Sequence, residues 1–471
     1  MRPSFIIFCN WQNFYIFNAG MKAKNDKKTI WAWCMFDWAN QSYNMVITST
    51  IFPAYYVFYT TFQNSSPNHD KVMFFGHQFV NTVILTYALG TAYLLIVLLL
   101  PILTSIADYR GNKKRYLQFF TWMGALSCAG LFLFRPVEHG IPSLELPLIF
   151  YALACVGYCG GFVFYNSYLP QIASDDQMDS VSAKGFMYGY AGSLLMQLLC
   201  LMVIQEPGWF GLKEEIHQAL PERMSFLLVF VWWMGFSIIP FKLLPKSEPA
   251  PGKHNYNVFT GGFKELARVF QKVLTMPLLK RFLASFFFYS VGVQTIMLVA
   301  ANFASKELHM PDDTLIEIIL SIQIVGIIGA WLTAKVSGKI GNVRTLIGLV
   351  SIWTVLCLLV YFITNTPQFF AAAVVVGAVM GGVQSISRST YSKYLPPNIP
   401  DTASFFSFYD VTEKLAIVVG LFCFGLVEQL TGEMRDSALA LDCFFALGLI
   451  LMVVLYVAER KSKKHLATVP A

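Results

Sequence analysis

Residues 79–104, FVNTVILTYALGTAYLLIVLLLPILT, run without a single charge and lead into Ala107-Asp108-Tyr109-Arg110-Gly111-Asn112-Lys113-Lys114. A bilayer core about 30 Å thick takes about 20 apolar residues as helix. The stretch therefore reads as a membrane span that ends in a tight basic turn. The pattern returns later in the chain. The apolar run 315–336 leads into Ser337-Gly338-Lys339-Ile340-Gly341-Asn342-Val343-Arg344, which sets a second Gly-Asn pair 230 residues after the first. Gly160-Gly161 with Tyr168-Leu169-Pro170 likewise returns as Gly381-Gly382 with Tyr394-Leu395-Pro396. A chain that repeats its span-and-turn pattern at this spacing is built as two matching halves.

Working outward, twelve apolar runs emerge, at about 34–59, 79–104, 116–134, 147–169, 185–204, 225–244, 280–300, 315–336, 345–363, 369–394, 404–427 and 438–458. Backbone groups in lipid must be paired within the segment, so each run is expected to be helical. Composition agrees. Of 471 residues 56% are hydrophobic and 13% charged, and mean hydropathy is +0.55. A soluble surface needs roughly 25% charge. A soluble enzyme, a disordered chain and a disulfide-stapled secreted domain are excluded. The expected fold is an all-α polytopic membrane protein with twelve transmembrane helices in two pseudo-symmetric six-helix bundles. Residues 31–244 form the N-terminal bundle and 280–458 the C-terminal bundle. Residues 245–279 form a linker, and 1–30 and 459–471 are tails.

Orientation follows from the bases. With the N-terminus inside, 25 of the 34 Lys and Arg fall in inner segments and six in outer loops; Arg388 and Lys414 lie within spans and Arg2 in the N-terminal extension. Both termini are thus expected in the cytoplasm, and the membrane is expected to be a bacterial inner membrane. In the linker, Phe259, Phe263, Leu266, Phe270 and Val273 recur at helical spacing, with Lys264, Arg268 and Lys272 on other faces. That pattern predicts an amphipathic helix on the membrane surface or on the inner gate, ended by Pro277. The bases are scattered among loops, which is not the footprint of a nucleic-acid partner. Residues 1–20 make a poor signal peptide, and the Lys-rich segment from Met21 points to Met21 as the native start.

Eight of nine cysteines lie in or beside apolar runs, no CxxC occurs, and no His or Cys completes a metal set around Cys155 and Cys159. These read as packing residues, and no metal or cofactor is expected.

More specific segments lie on this frame. They are Phe36-Asp37-Trp38-Ala39-Asn40 with Ile51-Phe52-Pro53-Ala54-Tyr55-Tyr56, and Tyr165-Asn166-Ser167-Tyr168-Leu169-Pro170. Ser182-Ala183-Lys184-Gly185-Phe186 with Gly189-Tyr190, and Gly381-Gly382-Val383-Gln384 with Ser387-Arg388-Ser389, complete the set. The six-plus-six plan and the turn holding Asp108, Gly111, Lys113 and Lys114 resemble the major facilitator superfamily (MFS). The combined segments resemble its vacuolar-effluxer-like branch, whose eukaryotic members are autophagy-related amino-acid exporters and many of whose bacterial members have no known substrate. Thr104 stands where the superfamily pattern has Gly, Tyr109 replaces a base, and the second-half copy has Gly338 in place of the acid. The resemblance implies that the Asp108 turn latches the two halves in the outward-open state, with Gly111 allowing the turn and Lys113 and Lys114 as its basic part. It assigns no role to Asp410 or Glu413.

Polar residues at membrane depth need a partner or a wet cavity, because a charge there costs roughly 2.5–3.5 kcal/mol on insertion scales. Asp37, Gln41, Asn44 and Thr48 share one face of the first span with Asn40 beside them. They read either as a cavity wall or as polar glue between helices. Gln197, Gln294 and Gln323 are single amides, each placed to bind a solute or to bridge helices. Gln384 and Arg388 lie in the tenth span, and Arg388 is expected to pair with Asp37, Asp410 or Glu413. Asp410 and Lys414 stand at i, i+4, the order that favours an intrahelical pair, which leaves Glu413 the freer acid. Asn166 ends the fourth span as a gate candidate, and Asp410, Glu413 and Lys414 join the gate set. The glycines at 160, 161, 185, 189 and 192 read as close-packing faces. No His falls in a span, so proton coupling, if present, falls to Asp37, Glu413 or Asp410.

The function read from these features is a secondary active transporter that moves a small polar, amino-acid-like solute by alternating access, with export as the direction implied by the resemblance. It is expected to act as a monomer in the bilayer. A drug or lipid exporter of the same fold is the rival, and an intramembrane enzyme a distant one, because no span offers a catalytic cluster. An ATP-driven pump is disfavoured by the absence of a GxxxxGK[ST] loop.

Overall fold

The computed structural model describes residues 24–61, 71–135, 143–212, 219–246, 258–397, 399, 401–431 and 433–468. The expectations about residues 1–20 and most of the Pro-rich linker fall outside the described residues. Among those described, twelve long helices follow one another. In the first half α1 (Lys27–Tyr43) continues through a π-helical segment, Asn44–Thr50, into Ile51–Thr61. Then come α2 (Asn81–Arg110), α3 (Lys113–Leu131), α4 (Glu145–Asn166), α5 (Met178–Gln205) and α6 (Leu220–Leu243). The second half holds α7 (Pro277–Leu308), α8 (Asp312–Ile340), α9 (Asn342–Val360), α10 (Thr366–Tyr394), α11 (Thr402–Thr431) and α12 (Met434–Thr468).

Nine of these helices are long and apolar enough to cross a membrane on composition alone. The other three, α1, α3 and α11, are the ones that carry polar cargo. The first α-helical stretch of α1 holds Asp37, Asn40 and Gln41, α3 opens on Lys113-Lys114-Arg115, and α11 holds Asp410, Glu413 and Lys414. Much of that polarity is turned inward: Asp37, Asn40, Lys113 and Asp410 are buried. Large apolar side chains face the other way, as Leu98, Phe422 and Ile450 do. That inversion is what a lipid solvent selects. Several helices outrun the apolar runs that marked them, α12 most of all, because hydropathy falls at the first polar residue while the helix continues to its cap.

In the first half α1 packs on α5 and α6, α3 on α4 and α6, and α2 on α4; in the second α7 packs on α12 and α11, and α8 on α10. The seam between the halves is made by α2 against α11 and by its symmetry mate, α8 against α5, with α10 also on α5. The central connection forms a helix at Val258–Thr275, lodged against α2. Its Arg268 pairs with Asp401, its Lys272 lies over the Phe405 ring, and its Phe270 stacks on Phe408. This helix, the start of α1 and the end of α12 share one face, called here the near face. On the far face Lys71–Phe74 and His77–Val80 form an antiparallel hairpin with Lys71 opposite Val80. Phe75 and Gly76, both at positive φ, make its two-residue turn. The sequence reading assigns no strand there.

Candidate functional site

The polar stripe of α1 is graded. Asp37 is fully buried, Gln41 and Thr48 are half-buried and Asn44 is exposed. Asn44 begins the π-helical segment. There the hydroxyls of Ser49 and Thr50 donate to the carbonyls of Asn44 (2.9 Å) and Met45 (2.8 Å), five residues back. Such insertions in α-helices gather at functional sites. Only the run Thr48-Ser49-Thr50 hinted at it in the sequence. Asp37 Oδ1 and both polar atoms of the Asn40 side chain are buried without a hydrogen-bond partner among the described residues. Buried polar atoms are nearly always paired, and several orphans along one helix mark a wall equipped to hold something polar.

At the deep end of the stripe the halves are tied together. Tyr165 OH donates to Asp37 Oδ2 at 2.6 Å, and Arg388 Nη1 from α10 lies 3.6 Å from the same oxygen. The guanidinium donates through Nε to Ser182 Oγ (3.0 Å), through Nη2 to the Ser182 carbonyl (2.8 Å) and through Nη1 to Asn166 Oδ1 (3.1 Å). Trp33, Phe186 and Tyr165 surround it, their ring centroids 4.8, 4.3 and 5.4 Å from Cζ. One arginine of the second half is thus held by α1, α4 and α5 of the first, its charge shared between a carboxylate, neutral acceptors and ring faces. Gly185 makes the box possible. A Cβ there would lie 2.6 Å from Tyr165 OH, 2.8 Å from the Trp33 ring and 3.0 Å from Arg388 Nη2.

Two further ties close the near face. Asp108, 1% exposed at the end of α2, accepts from Ser404 N and Ser404 Oγ, both at 2.7 Å, and from Ala403 N at 3.4 Å. It caps the first turn of α11, where backbone N–H groups and the helix dipole favour an anion. Lys113 Nζ sits 2.9 Å from Asp108 Oδ1 and also donates to Thr402 Oγ1. Gly111, at φ 64°, makes the left-handed turn that sends the chain from α2 to α3. Lys114 donates to the Leu244 carbonyl at 2.8 Å. The mate of this tie joins α5 to α8, α9 and α10. Asp179, in the first turn of α5, accepts from Asn342 Nδ2 (2.7 Å), Lys393 Nζ (2.8 Å) and Ser337 Oγ (3.1 Å). Sequence reasoning missed Asp179 and Lys393. The only signal was an acid at a helix start, too common to single out.

The mid-span charges of α11 are arranged differently from the expectation. Lys414 does not bond Asp410; its Nζ donates to Glu413 Oε2 at 2.7 Å. Nor is Glu413 the freer acid, for its Oε1 also accepts from Gln294 Nε2 of α7 at 3.0 Å. Periodicity orients the Cα–Cβ bond but not the rotamer, and the lysine side chain is long enough to reach the carboxylate beside it in the chain. Asp410, 3% exposed, keeps Oδ2 unpaired. The ammonium lies 5.9 Å from the Tyr93 ring of α2, so it faces the opposite half. These three sit nearer mid-span than the near-face ties with which they were grouped.

The single amides divide. Gln41 accepts from Tyr158 OH (3.2 Å) and Gln384 from Tyr190 OH (3.3 Å). Gln197 accepts from Thr50 Oγ1 (2.9 Å), within the first half. Gln323 reaches Met45 Sδ (3.0 Å) across the seam. Gln197 and Gln323 are buried and bridge helices. A groove of about 440 Å³ between α5 and α6, lined by Leu199, Leu228, Val231 and Phe236 among others, is apolar.

Residues 25–466 match the family model described as vacuole effluxer Atg22 like. A Bacillus subtilis protein described as an uncharacterized MFS-type transporter, YxiO, is 29% identical over 437 residues, covering 92% of this chain and 95% of its own. Autophagy-related protein 22-2 of Aspergillus oryzae is 24% identical, covering 78% and 72%. Among solved structures, the MFS transporter FucP in the outward conformation superposes with a TM-score of 0.63 at 12% identity, covering 91% of this chain and 97% of that one. The proton:xylose symporter XylE superposes at 0.67 with 13% identity, covering 90% and 94%. These structural likenesses speak to the fold.

Proposed function

The chain belongs to the vacuole effluxer Atg22-like family of MFS-type membrane transporters, and from that premise we propose that it exports a small, polar, amino-acid-like solute by alternating access. The observation that carries this reading is the contrast along α1: sealed at Asp37 by Arg388, open at Asn44. The near face is the cytoplasmic one, in keeping with the surplus of bases there, and the membrane is a bacterial inner membrane. In this arrangement the solute site is the wall formed by Asp37, Asn40, Gln41 and Asn44, with Gln384 and Gln294 on the facing half. Export starts when the near-face ties part and the solute enters from the cytoplasm. Solute must stabilise one arrangement over the other, since equal affinity for both shifts nothing. The protein works as a monomer.

The test is uptake of a radiolabelled amino-acid mixture into proteoliposomes. Wild type is expected to carry label and Asp37→Asn to insert normally but transport at least tenfold more slowly. Equal transport by the two would remove the stripe from the pathway. A thermal-shift screen against amino acids, peptides, nucleosides and sugars identifies the solute class, because a ligand at about 100 times its Kd adds about 2.7 kcal/mol to the folded state.

A further inference from the structure

Among the described residues, the mid-span charges that lie between the two bundles, away from the near-face ties, include Arg388 and Lys414 against Asp37, Asp410 and Glu413. Arg388 is committed to Asp37 and Lys414 to Glu413. Asp410 is left over, buried, with Oδ2 unpaired and no ion pair among the described residues. A buried ionised carboxylate without a cation is so unfavourable that the group takes up a proton instead. We propose that Asp410 is a proton-binding site and that Lys414 passes from Glu413 to Asp410 when the proton leaves. This rests on the transport reading only for its consequence, the coupling of protons to solute movement.

The geometry allows the exchange. Asp410 and Lys414 are one helical turn apart on α11, with Cβ atoms about 5–6 Å distant, so a lysine side chain spans the gap by rotamer change alone. Glu413 tolerates the loss, because Gln294 Nε2 already donates to it at 3.0 Å. The balance is simple. Before release the trio Asp410–Glu413–Lys414 is neutral, one carboxyl being protonated. After release it carries one negative charge, shared by two carboxylates around one ammonium, and the proton goes to water. Restoring neutrality takes a proton or a cationic group.

The neighbouring groups single out Lys414 as the partner. On its own helix Asp410 lies within electrostatic reach of Tyr409, Glu413 and Lys414; Cys159 of α4 and Arg388 and Tyr391 of α10 lie within the same reach. Tyr289 of α7 lies beside Glu413, and Tyr93 of α2 beside Lys414. Asp442 of α12 faces Cys357, and Lys272 of the connecting helix lies over Phe405. Arg388 has its own carboxylate and a full set of acceptors, which leaves Lys414 as the base able to move. It now faces Tyr93 in the other half, so its swing alters a contact across the seam as well as within α11.

Infrared difference spectra of the full chain in lipid nanodiscs, titrated from mildly acid to mildly alkaline pH without added solute, test the site. Wild type is expected to show a protonated-carboxyl band that disappears as pH rises, that is missing from Asp410→Asn and that persists in Asp37→Asn. Lys414→Gln should move its disappearance upward by about one pH unit or more, since the ionised form loses its cation. Asp410→Glu keeps the acid and must keep the band at an altered frequency, so the site remains testable if Asp410→Asn misfolds. A band that survives Asp410→Asn, is lost in Asp37→Asn, or is unaltered in Asp410→Glu overturns the proposal. Because no solute is present, these spectra stand apart from proteoliposome uptake, where the transport reading itself succeeds or fails.

Discussion

The near-face seam is closed twice, at α2–α11 and at its symmetry mate α8–α5, and the two closures use an acid from opposite sides. In the first the acid sits at the turn: Asp108 ends α2 and caps the backbone of α11. In the second the turn position is Gly338, and the acid has crossed to the partner helix: Asp179 begins α5 and reaches back to Ser337, Asn342 and Lys393. Both carboxylates have both oxygens engaged. The first relies on backbone amides that cannot move without moving the helix, and on a lysine only 2% exposed. The second relies on side chains, one of them a lysine 24% exposed that water can also serve. The symmetry of the fold thus preserves the need for a tie but not its chemistry. The first closure should be the stiff one and the second the yielding one.

The largest expected effect is that of Asp108→Asn. Lys113 stays buried and loses its counter-charge, a change worth about 3–5 kcal/mol for buried pairs. Thermal unfolding in nanodiscs should show a clear loss, and a loss below that of Asp179→Asn would break the comparison. Asp179→Asn should cost less, about 1–2 kcal/mol, because Lys393 can turn to water and Asn still accepts from Asn342. Gly338→Asp restores the missing acid at the turn. A Cβ there meets nothing within 4 Å, so no clash is introduced, and the gain from replacing a glycine inside a helix is common to both backgrounds, which leaves the difference between them electrostatic. It should destabilise by about 0.5–1 kcal/mol beside Asp179 and recover stability in an Asp179→Asn background; the same sign in both backgrounds would show that the two positions are not interchangeable. The smallest quantity is the coupling between Asp108→Asn and Asp179→Asn in the double variant. Sites without shared partners add to within about 0.5 kcal/mol, and a stronger coupling would mean that the closures act as one unit.

The frame of the molecule was legible because lipid imposes a strict rule: charge-free runs must be helices, and their repeats reveal the halves. Asp108 was legible as an acid closing such a run inside a repeated motif. Its receptor, Ser404, was not, because it lies 296 residues away and a serine at a helix start carries little signal. Arg388 had to find an acid, and three stood at similar depth; burial and the aromatic box of Trp33, Phe186 and Tyr165 decided for Asp37. Glu413 was misread because spacing speaks for the backbone and not for side-chain torsions. The π-helical segment at Asn44–Thr50 left almost no trace, since it is a shift of backbone N–H groups to carbonyls five residues back rather than four, and the side chains that accompany it carry little signal. Gln197 and Gln323, open to either reading, are helix bridges.

The central claim is that parting the near-face ties opens one side as the other closes. Spin labels at Arg110 and Lys339 report the near face, and labels at Thr86 and Ser305 the far face; all four positions are exposed. Their separations are to be measured by pulsed electron resonance in nanodiscs, before and after the paired change Asp108→Asn with Asp179→Asn. The account predicts that the near-face distance lengthens and the far-face distance shortens in the same population. A near-face distance that lengthens while the far-face distance stays fixed, or no change in either, would contradict it.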